Sequence, residues 1–429
     1  MLDGSLPGDA PTGDGDALPA DWTDATVGCS APGNLDPSFG VGGFAPVALG
    51  LNSGAFAVVF EPSSGRLLVA GSSPADRRRC IVFALRDDGN LDTTYGTNGL
   101  TEVELTDYNC DVDDIALQST GALVVVGEAY AEPVGGHPML FRLAPDGSLD
   151  ASFGTSGVVV AQPDVYGQVE GVVIDAQDRI VTAVQDSDDF DGTTTHFAVA
   201  RYTPDGALDS TFASGGVALD AFQDGQDVAY DVALQSDGKI VVAGAAANTS
   251  KSDFGLARYE PDGSLDPTFG SGGTTIARFG GGGAGVGVAL DATGRAVVVG
   301  NVSSGGAAAR FTTDGVLDTQ FADQGELVTH VNPYGLGFQH VIVSATGNVL
   351  VAGSWNDTPA TMELLLARFD ASGVPDPTFG AGGYAVASAG TNRNLGWSLV
   401  QQPDGKIVVV GAHGTWPSPP DVLVARFCP

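Results

Sequence analysis

Carboxylates are the most frequent groups in this sequence that could carry chemistry. The stretch DSDDFDG places Asp186, Asp188, Asp189 and Asp191 close together. Calcium prefers several oxygen ligands, so such a run suits it. The spacing misses that of an EF-hand loop by one position, and the acidic residue that should close the loop is absent. The sequence therefore predicts either a calcium site or a solvated acidic loop.

A second acidic group surrounds a cysteine. Asp107, Asp111, Asp113 and Asp114 lie near Cys110. The same two interpretations, a cation site and a solvated surface, apply to this group.

Aromatic residues near the end of the chain are candidates for ligand binding. Trp355, Trp397, Trp416 and His413 fall in or near predicted connections between strands. Exposed aromatic rings stack on sugars or peptides, which predicts a protein or glycan ligand. The alternative is that these rings only pack long loops together.

No catalytic constellation is evident in the sequence. The five histidines lack metal-ligand spacing, and neither a GxSxG motif nor a Walker-type phosphate loop occurs. The position of Asp231 is taken by Asp114, Gly171 and Gly287 in other copies of the repeat, which argues against a symmetric ring of carboxylates. We therefore predict no catalytic residue and, apart from calcium, no cofactor.

A repeated motif organises the elements that must position these residues. LDPTFGSGG at Leu265 recurs, with variation, in seven copies whose aromatic residues are 52 to 59 positions apart. A fixed period of this length is typical of propellers and solenoids. These aromatic residues are Phe39, Tyr95, Phe153, Phe212, Phe269, Phe321 and Phe379.

Each copy predicts four short strands. In the reference copy they cover Val228–Gln235, Ile240–Ala245, Phe254–Glu260 and Thr274–Phe279. An Asp-Gly turn joins the first two as a tight hairpin. The second strand is apolar throughout, so both of its faces should be covered, as happens between neighbouring sheets of a radial array. The prediction is an all-β, seven-bladed β-propeller with four antiparallel strands per blade.

Most copies also contain an arginine and an aspartate at fixed positions. Arg258 and Asp266 are the pair in the reference copy. Such a pair resembles catalytic groups, but a structural ion pair or turn cap is the favoured interpretation.

The two chain ends are predicted to meet. A strand equivalent to the fourth strand of each copy is predicted at about Phe44 to Leu49, before any other strand. The chain ends on the first three strands of a copy, without a fourth. The N-terminal strand should therefore complete the C-terminal blade and close the ring. Cys29 and Cys428 fall at this seam and are predicted to form a disulfide. Cys80 and Cys110 are predicted to form another, with free buried thiols as the alternative.

Composition limits the setting and the partners. Residues 1–33 lack periodicity and predict a disordered acidic tail or tether, followed by one domain over 34–429. The net charge of -34 disfavours nucleic acid and anionic lipid, and no apolar stretch is long enough for membrane insertion. Two disulfides predict an extracytoplasmic protein, either secreted or on the cell surface.

The unit ALQSDGKIVVAG followed by LARYEPDGSLDPTFGSGG resembles the bacterial delta-60 repeat. This resemblance implies a β-propeller-type architecture and an extracytoplasmic setting, and it brings no catalytic residues. The function expected first is a non-catalytic binding or scaffold module that uses its variable loops. The alternatives are a carbohydrate-active lyase, hydrolase or dehydrogenase with an asymmetric axial pocket, and a structural unit of an extracellular assembly.

Overall fold

The computed structural model is all-β in its described part and contains no helix there. It describes residues 29–47, 49, 54–73, 79–131, 135–161, 166–187, 195–222, 226–247, 251–329, 335–358, 360–415 and 421–429. Predictions that fall on Asp188, Asp189, Asp191 and Trp416, and those on the first 28 residues, lie outside this part.

Five four-stranded antiparallel sheets follow one another along the chain. Sheet 1 contains β1 (Gly54–Glu61), β2 (Arg66–Ser73), β3 (Arg79–Leu85) and β4 (Leu100–Val103). Sheet 2 contains β5 (Asn109–Leu117), β6 (Leu123–Ala131), β7 (Gly135–Leu143) and β8 (Val158–Val160). Sheet 3 contains β9 (Tyr166–Ile174), β10 (Ile180–Ser187), β11 (Thr195–Tyr202) and β12 (Val217–Asp220). Sheet 4 contains β13 (Val228–Leu234), β14 (Ile240–Ala247), β15 (Ser252–Tyr259) and β16 (Thr274–Ala277). Sheet 5 contains β17 (Gly283–Leu290), β18 (Ala296–Val302), β19 (Gly305–Phe311) and β20 (Glu326–Val328).

The remaining strands form a seven-stranded sheet. Its first group contains β21 (Leu336–Val343), β22 (Val349–Thr358), β23 (Thr361–Phe369) and β24 (Tyr384–Ala387). Its second group contains β25 (Arg393–Gln401), β26 (Ile407–Gly414) and β27 (Asp421–Phe427). A single parallel pairing, between Met362 and Arg393, joins the two groups.

The strands follow from local sequence. Gly238 adopts a φ of +87° in the turn between β13 and β14, a conformation that glycine reaches without a steric penalty. The second strand of each sheet is buried, as β14 shows with IVVAGAA fully covered. The first strands of successive sheets pack against one another, and β1 also packs against β25 and β26. We call the loop face the side that carries the connections from second to third strands and those leading into the first strands.

Arginines connect neighbouring sheets away from the loop face. The guanidinium of Arg258 lies 4.6 Å from the centre of the Phe269 ring, and its Nε donates to Asp266 Oδ2 at 2.8 Å. Its Nη1 donates to the backbone carbonyl of Thr313, in a turn of the next sheet. The equivalent sets are Arg142–Asp150–Phe153, Arg201–Asp209–Phe212, Arg310–Asp318–Phe321, Arg368–Asp376–Phe379 and Arg426–Asp36–Phe39.

Sheet 1 has the same arrangement, but its arginine comes from a different strand. Ala84 occupies the position of the arginine, and Arg66 from β2 takes its place. The Arg66 guanidinium lies 5.4 Å from the centre of the Tyr95 ring, and its Nη1 is 3.5 Å from Asp92 Oδ2. The function of the set is thus kept although the arginine comes from another strand.

The N-terminal segment lies against the last strand. Phe44 forms an isolated bridge with Ala425, and the Ala45 N–H donates to the Val424 carbonyl at 3.0 Å. The described residues 44–47 and 49 form no regular strand, so the strand predicted at about Phe44 to Leu49 needs correction. Phe44 is the one residue of that stretch in a bridge within the described part, because the pairing with β27 continues only through the Ala45 hydrogen bond.

Both pairs of cysteines form disulfides in the structure. Cys29 is bonded to Cys428, which ties the N-terminal segment to the residue after β27. Cys80 is bonded to Cys110, which ties β3 of sheet 1 to β5 of sheet 2. Across the described residues, no helix is long and apolar enough to span a lipid bilayer.

Candidate ligand-binding site

A β-bulge interrupts the first strand of every group at the same place. In sheet 4 the pairing passes from Ala229 to Asp231 and leaves Tyr230 as the extra residue. A bulge of this kind redirects a side chain. The extra residues of the seven groups, which we call the bulge residues, are Phe56, Asp113, Glu170, Tyr230, Val286, Gln339 and Trp397. They are partly buried, and their shared register puts them at one level of the packed first strands.

In alternate sheets, the side chain after the bulge accepts a hydrogen bond from the first strand of the next sheet. Asp114 Oδ2 accepts the Val172 N–H at 2.9 Å, and Asp231 Oδ2 accepts the Val288 N–H at 2.7 Å. In sheets 3 and 5, whose first strands donate these bonds, this position is Gly171 and Gly287. A Cβ on Gly171 would lie 3.0 Å from Cα of Asp231, so the strands approach too closely for a side chain.

His340 continues this alternation. Its Nδ1 accepts the Leu399 N–H at 3.3 Å. Burial lowers the pKa of His340 to about 4, so the ring is neutral in ordinary solution and Nδ1 is free to accept. This histidine is a structural residue.

Two aromatic bulge residues stack on each other. The rings of Phe56 and Trp397 have centres 4.5 Å apart and are inclined by 11°. Gly54 makes room for them, because a Cβ there would lie 2.8 Å from the Trp397 ring. The pair forms an aromatic platform between β25 and β1.

A cavity of about 660 Å³ opens on the loop face beside Trp397. The other bulge residue in its wall is Gln339, and the wall continues through Ser304, Ser354 and Asn356. Asn301 also lines it, and its side chain is held by two 2.9 Å hydrogen bonds with the Phe338 backbone. None of the described lining residues has an ionisable side chain. The cavity therefore offers hydroxyl, carboxamide and indole groups beside the apolar side chains of Leu336, Met362 and Leu395.

Two of the bulge residues carry carboxyl groups. Asp113 and Glu170 are the bulge residues of the adjacent strands β5 and β9. Burial raises the pKa of Asp113 well above its usual range, and the carboxylates of Glu170, Asp111 and Glu128 raise it further. Burial also raises the pKa of Glu170 to about 7, although a hydrogen bond from Gln168 opposes the shift.

A second pair of carboxyl groups lies one residue further along the first strands. Burial raises the pKa of Asp114 to about 7 and that of Asp231 to about 8. Asp114 contributes to the shift of Asp231 although the two belong to sheets 2 and 4. Their side chains therefore converge across the intervening sheet. Clusters of carboxyl groups with raised pKa values are typical of functional sites.

The predicted aromatic residues do not form one patch. Trp397 lines the cavity, whereas the Trp355 ring packs 6.1 Å from that of Tyr384. Trp355 lies within β22 because that strand runs to Thr358, and its neighbours Ser354 and Asn356 face the cavity instead. His413 is a partly buried residue of β26.

The described members of the predicted acidic sites lie in strands, except Asp107, which precedes β5. Asp186 is near the end of β10, and Asp111, Asp113 and Asp114 belong to β5. No three acidic, histidine or cysteine side chains of the described part are arranged to hold a metal ion.

Sequence reasoning missed the bulge residues as a set. The position of Asp231, which follows the bulge, shows only that a carboxylate is not present in every copy. One position earlier the copies read Phe, Asp, Glu, Tyr, Val, Gln and Trp. Such variety at a fixed register is the signal that could have located the site.

Comparisons with known proteins agree with this architecture. Residues 118–153, 178–212, 235–269 and 292–321 match the model of a family described as a domain of unknown function (DUF5122) beta-propeller. Among curated proteins, none is similar enough in sequence to match.

Solved structures provide the likeness over most of the chain. A streptogramin B lyase superposes with a TM-score of 0.52 and 11% identity, covering 90% of this chain and 96% of that one. An ulvan lyase of polysaccharide lyase family PL25 superposes with a TM-score of 0.50 and 12% identity, covering 89% of this chain and 94% of that one. At these identities the likeness concerns the fold alone. The repeats and the superpositions together show that this chain has a β-propeller fold.

Proposed function

We propose that the protein is an extracytoplasmic binding module, a closed propeller of seven blades that takes a glycan into the cavity beside Trp397. The seven-blade ring is supported by the contacts of β1 with β25 and β26 and by the disulfide between Cys29 and Cys428. The Arg426 guanidinium also reaches forward to the Asp87 carbonyl at 2.7 Å, as its equivalents reach the next sheet. Two disulfides support an oxidising compartment.

The composition of the cavity wall carries the proposal of a glycan ligand. The chain has 52 acidic residues, yet the described wall of the cavity has none. A sugar ring offers an apolar face to an indole and hydroxyl groups to amides and serines. Trp397 supplies the indole, while Gln339 and Ser304 supply polar partners.

A glycan array followed by calorimetry of the best ligand tests this function. Trp397→Ala should weaken binding at least about tenfold, because an aromatic anchor at the centre of a site contributes about 2 kcal/mol or more. Trp355→Ala is the matched control, since it removes the same side chain outside the cavity, and it should leave the affinity unchanged. Equal affinity of wild type and Trp397→Ala would rule out the cavity as the site.

A carbohydrate-active enzyme is the second candidate, and the buried carboxyl groups favour it. Asp113 and Glu170 have raised pKa values on the same level as the platform, and general acid catalysis needs a carboxyl group that stays protonated near neutral pH. If the protein is such an enzyme, incubating it with the glycan that binds on the array should cleave that glycan and produce new glycan chain ends. Asp113→Asn and Glu170→Gln should abolish this while leaving binding intact.

A further inference from the structure

Arg393 lies at the mouth of the cavity beside Trp397. It is the first residue of β25, the strand that also carries the wall residues Leu395 and Trp397. Its backbone pairs with that of Met362, another residue of the wall, and the Met362 N–H donates to the Asn392 carbonyl at 3.0 Å. The cavity wall therefore begins beside Arg393.

The alternation of side chains along β25 directs the Arg393 side chain. Successive side chains of a strand point to opposite faces, so Arg393 and Leu395 share one face. Burial follows the same alternation, because Asn394 and Gly396 are buried, whereas Arg393 is exposed and Leu395 is partly exposed. Leu395 lines the cavity, so the guanidinium group lies on the side of β25 that faces the cavity, further out toward solvent.

Arg393 is also the one described lysine or arginine that forms no ion pair within the described part of the chain. Each of the others has a carboxylate oxygen within 4.0 Å. The chain has 52 acidic residues against 18 basic ones, so carboxylates are available to almost any cation. An unpaired cation at the mouth of a cavity is therefore available for the negative charge of a ligand.

We propose that Arg393 binds the oxyanion group, a carboxylate or a sulfate, of an acidic glycan that occupies the cavity. This inference rests on the proposed glycan-binding function and narrows its ligand to a negatively charged oligosaccharide. A strand rises about 3.3 Å per residue, so Arg393 is about 13 Å from Trp397 and the two contact different sugar units. The planar guanidinium group donates two parallel hydrogen bonds to an oxyanion, which a lysine cannot do.

The charge of the whole chain acts at a longer range than this contact. The net charge of -34 repels anions, but physiological salt screens charges that are more than about 8 Å apart. An oxyanion in contact with Arg393 is well within that distance. We therefore expect the overall charge to slow the approach of an acidic glycan, and the Arg393 contact to favour its binding over that of a neutral one.

An array of matched glycan pairs, followed by calorimetry of the best pair, tests the proposal. Oligouronates are displayed beside their methyl esters, and sulfated oligosaccharides beside their desulfated forms. The wild type should bind the acidic member of at least one pair about three- to tenfold more tightly, between the effects of an exposed ion pair and a charge-assisted hydrogen bond. The two kinds of pair distinguish a carboxylate from a sulfate.

Variants of Arg393 show whether this residue causes the preference. Arg393→Gln should remove it, and Arg393→Lys should keep only part of it, because the charge remains without the planar fork. Both variants should unfold at the same denaturant concentration as the wild type, since Arg393 is exposed. Arg86→Gln is the matched control, because it removes the same charge from an exposed ion pair with Asp88, and it should keep the preference.

The outcomes separate the two proposals. If the acidic and neutral members bind equally, or if Arg393→Gln keeps the preference, the oxyanion subsite is refuted while glycan binding stands. If no glycan binds, both proposals fail. Trp397→Ala should weaken both members of a pair, whereas Arg393→Gln should weaken only the acidic member.

Discussion

Asp266 shows how single residues hold this protein together. Its Oδ2 accepts from Arg258 Nε at 2.8 Å and from Lys239 Nζ at 2.6 Å. Burial alone would raise the pKa of Asp266, but hydrogen bonds from Lys239, Thr268 and Arg258 outweigh it and hold the pKa well below its usual range. A carboxyl group whose pKa is lowered by folding stabilises the protein above its unfolded pKa, and the effect disappears as the pH falls.

Asp266→Asn tests this residue. At neutral pH the variant should lose about 3 to 5 kcal/mol of unfolding free energy, because Arg258 is left buried without its partner. The difference from wild type should shrink as the pH falls below about 4, because the Asp266 carboxyl group of the unfolded wild type is protonated there while that of the folded protein stays charged to lower pH. Denaturant unfolding at several pH values measures it. Glu104→Gln, at an exposed ion pair, should cost under about 1 kcal/mol, and a similar loss there would contradict the account.

The strands themselves were largely predictable from sequence, and their irregularities were not. For example, the sequence predicts a strand over Thr274–Phe279, and in the structure β16 covers Thr274–Ala277. The bulge escaped because a single added residue, such as Tyr230 within DVAYDVAL, leaves a pattern that reads as an ordinary strand. The candidate site depends on that one-residue shift, and of the bulge residues only Trp397 and Asp113 are candidates in the sequence, Trp397 for a ligand and Asp113 for a cation.

Close packing of the first strands can be tested at Gly171. A Cβ there would lie 3.0 Å from Cα of Asp231 and 3.1 Å from the Tyr230 carbonyl, so Gly171→Ala forces two sheets apart. We expect a loss of about 1 to 3 kcal/mol. Gly272→Ala is the comparison, because Gly272 has a φ of +70° but open space around it, and it should cost about 1 kcal/mol or less. Thermal or denaturant unfolding of both variants measures the order, and the reverse order would count against tight packing.

At the scale of the whole molecule, the disulfides join parts of the chain at very different separations. Cys29 and Cys428 are 399 positions apart, whereas Cys80 and Cys110 are 30 apart. The first bond ties together the two ends of the described chain, beside the contact of Phe44 with Ala425. In the chain-entropy model these bonds restrict the unfolded state by about 6 and about 4 kcal/mol.

Replacing both cysteines of one disulfide by serine tests this difference. Cys29→Ser with Cys428→Ser should lower the unfolding free energy more than Cys80→Ser with Cys110→Ser, by roughly 2 kcal/mol. Hydrogen exchange should also become faster in β1, β26 and β27, because those strands meet at the seam. Unchanged exchange in these strands, together with the opposite order of stabilities, would show that the seam does not depend on the terminal bond.

The location of the ligand is the central claim, and a crystal structure of the protein soaked with the glycan that binds best on the array tests it most directly. The account predicts a sugar ring against Trp397 in the cavity, with its hydroxyl groups near Gln339 and Ser304. Sugar bound only at the outer strands, or on the face opposite the loop face, would contradict it.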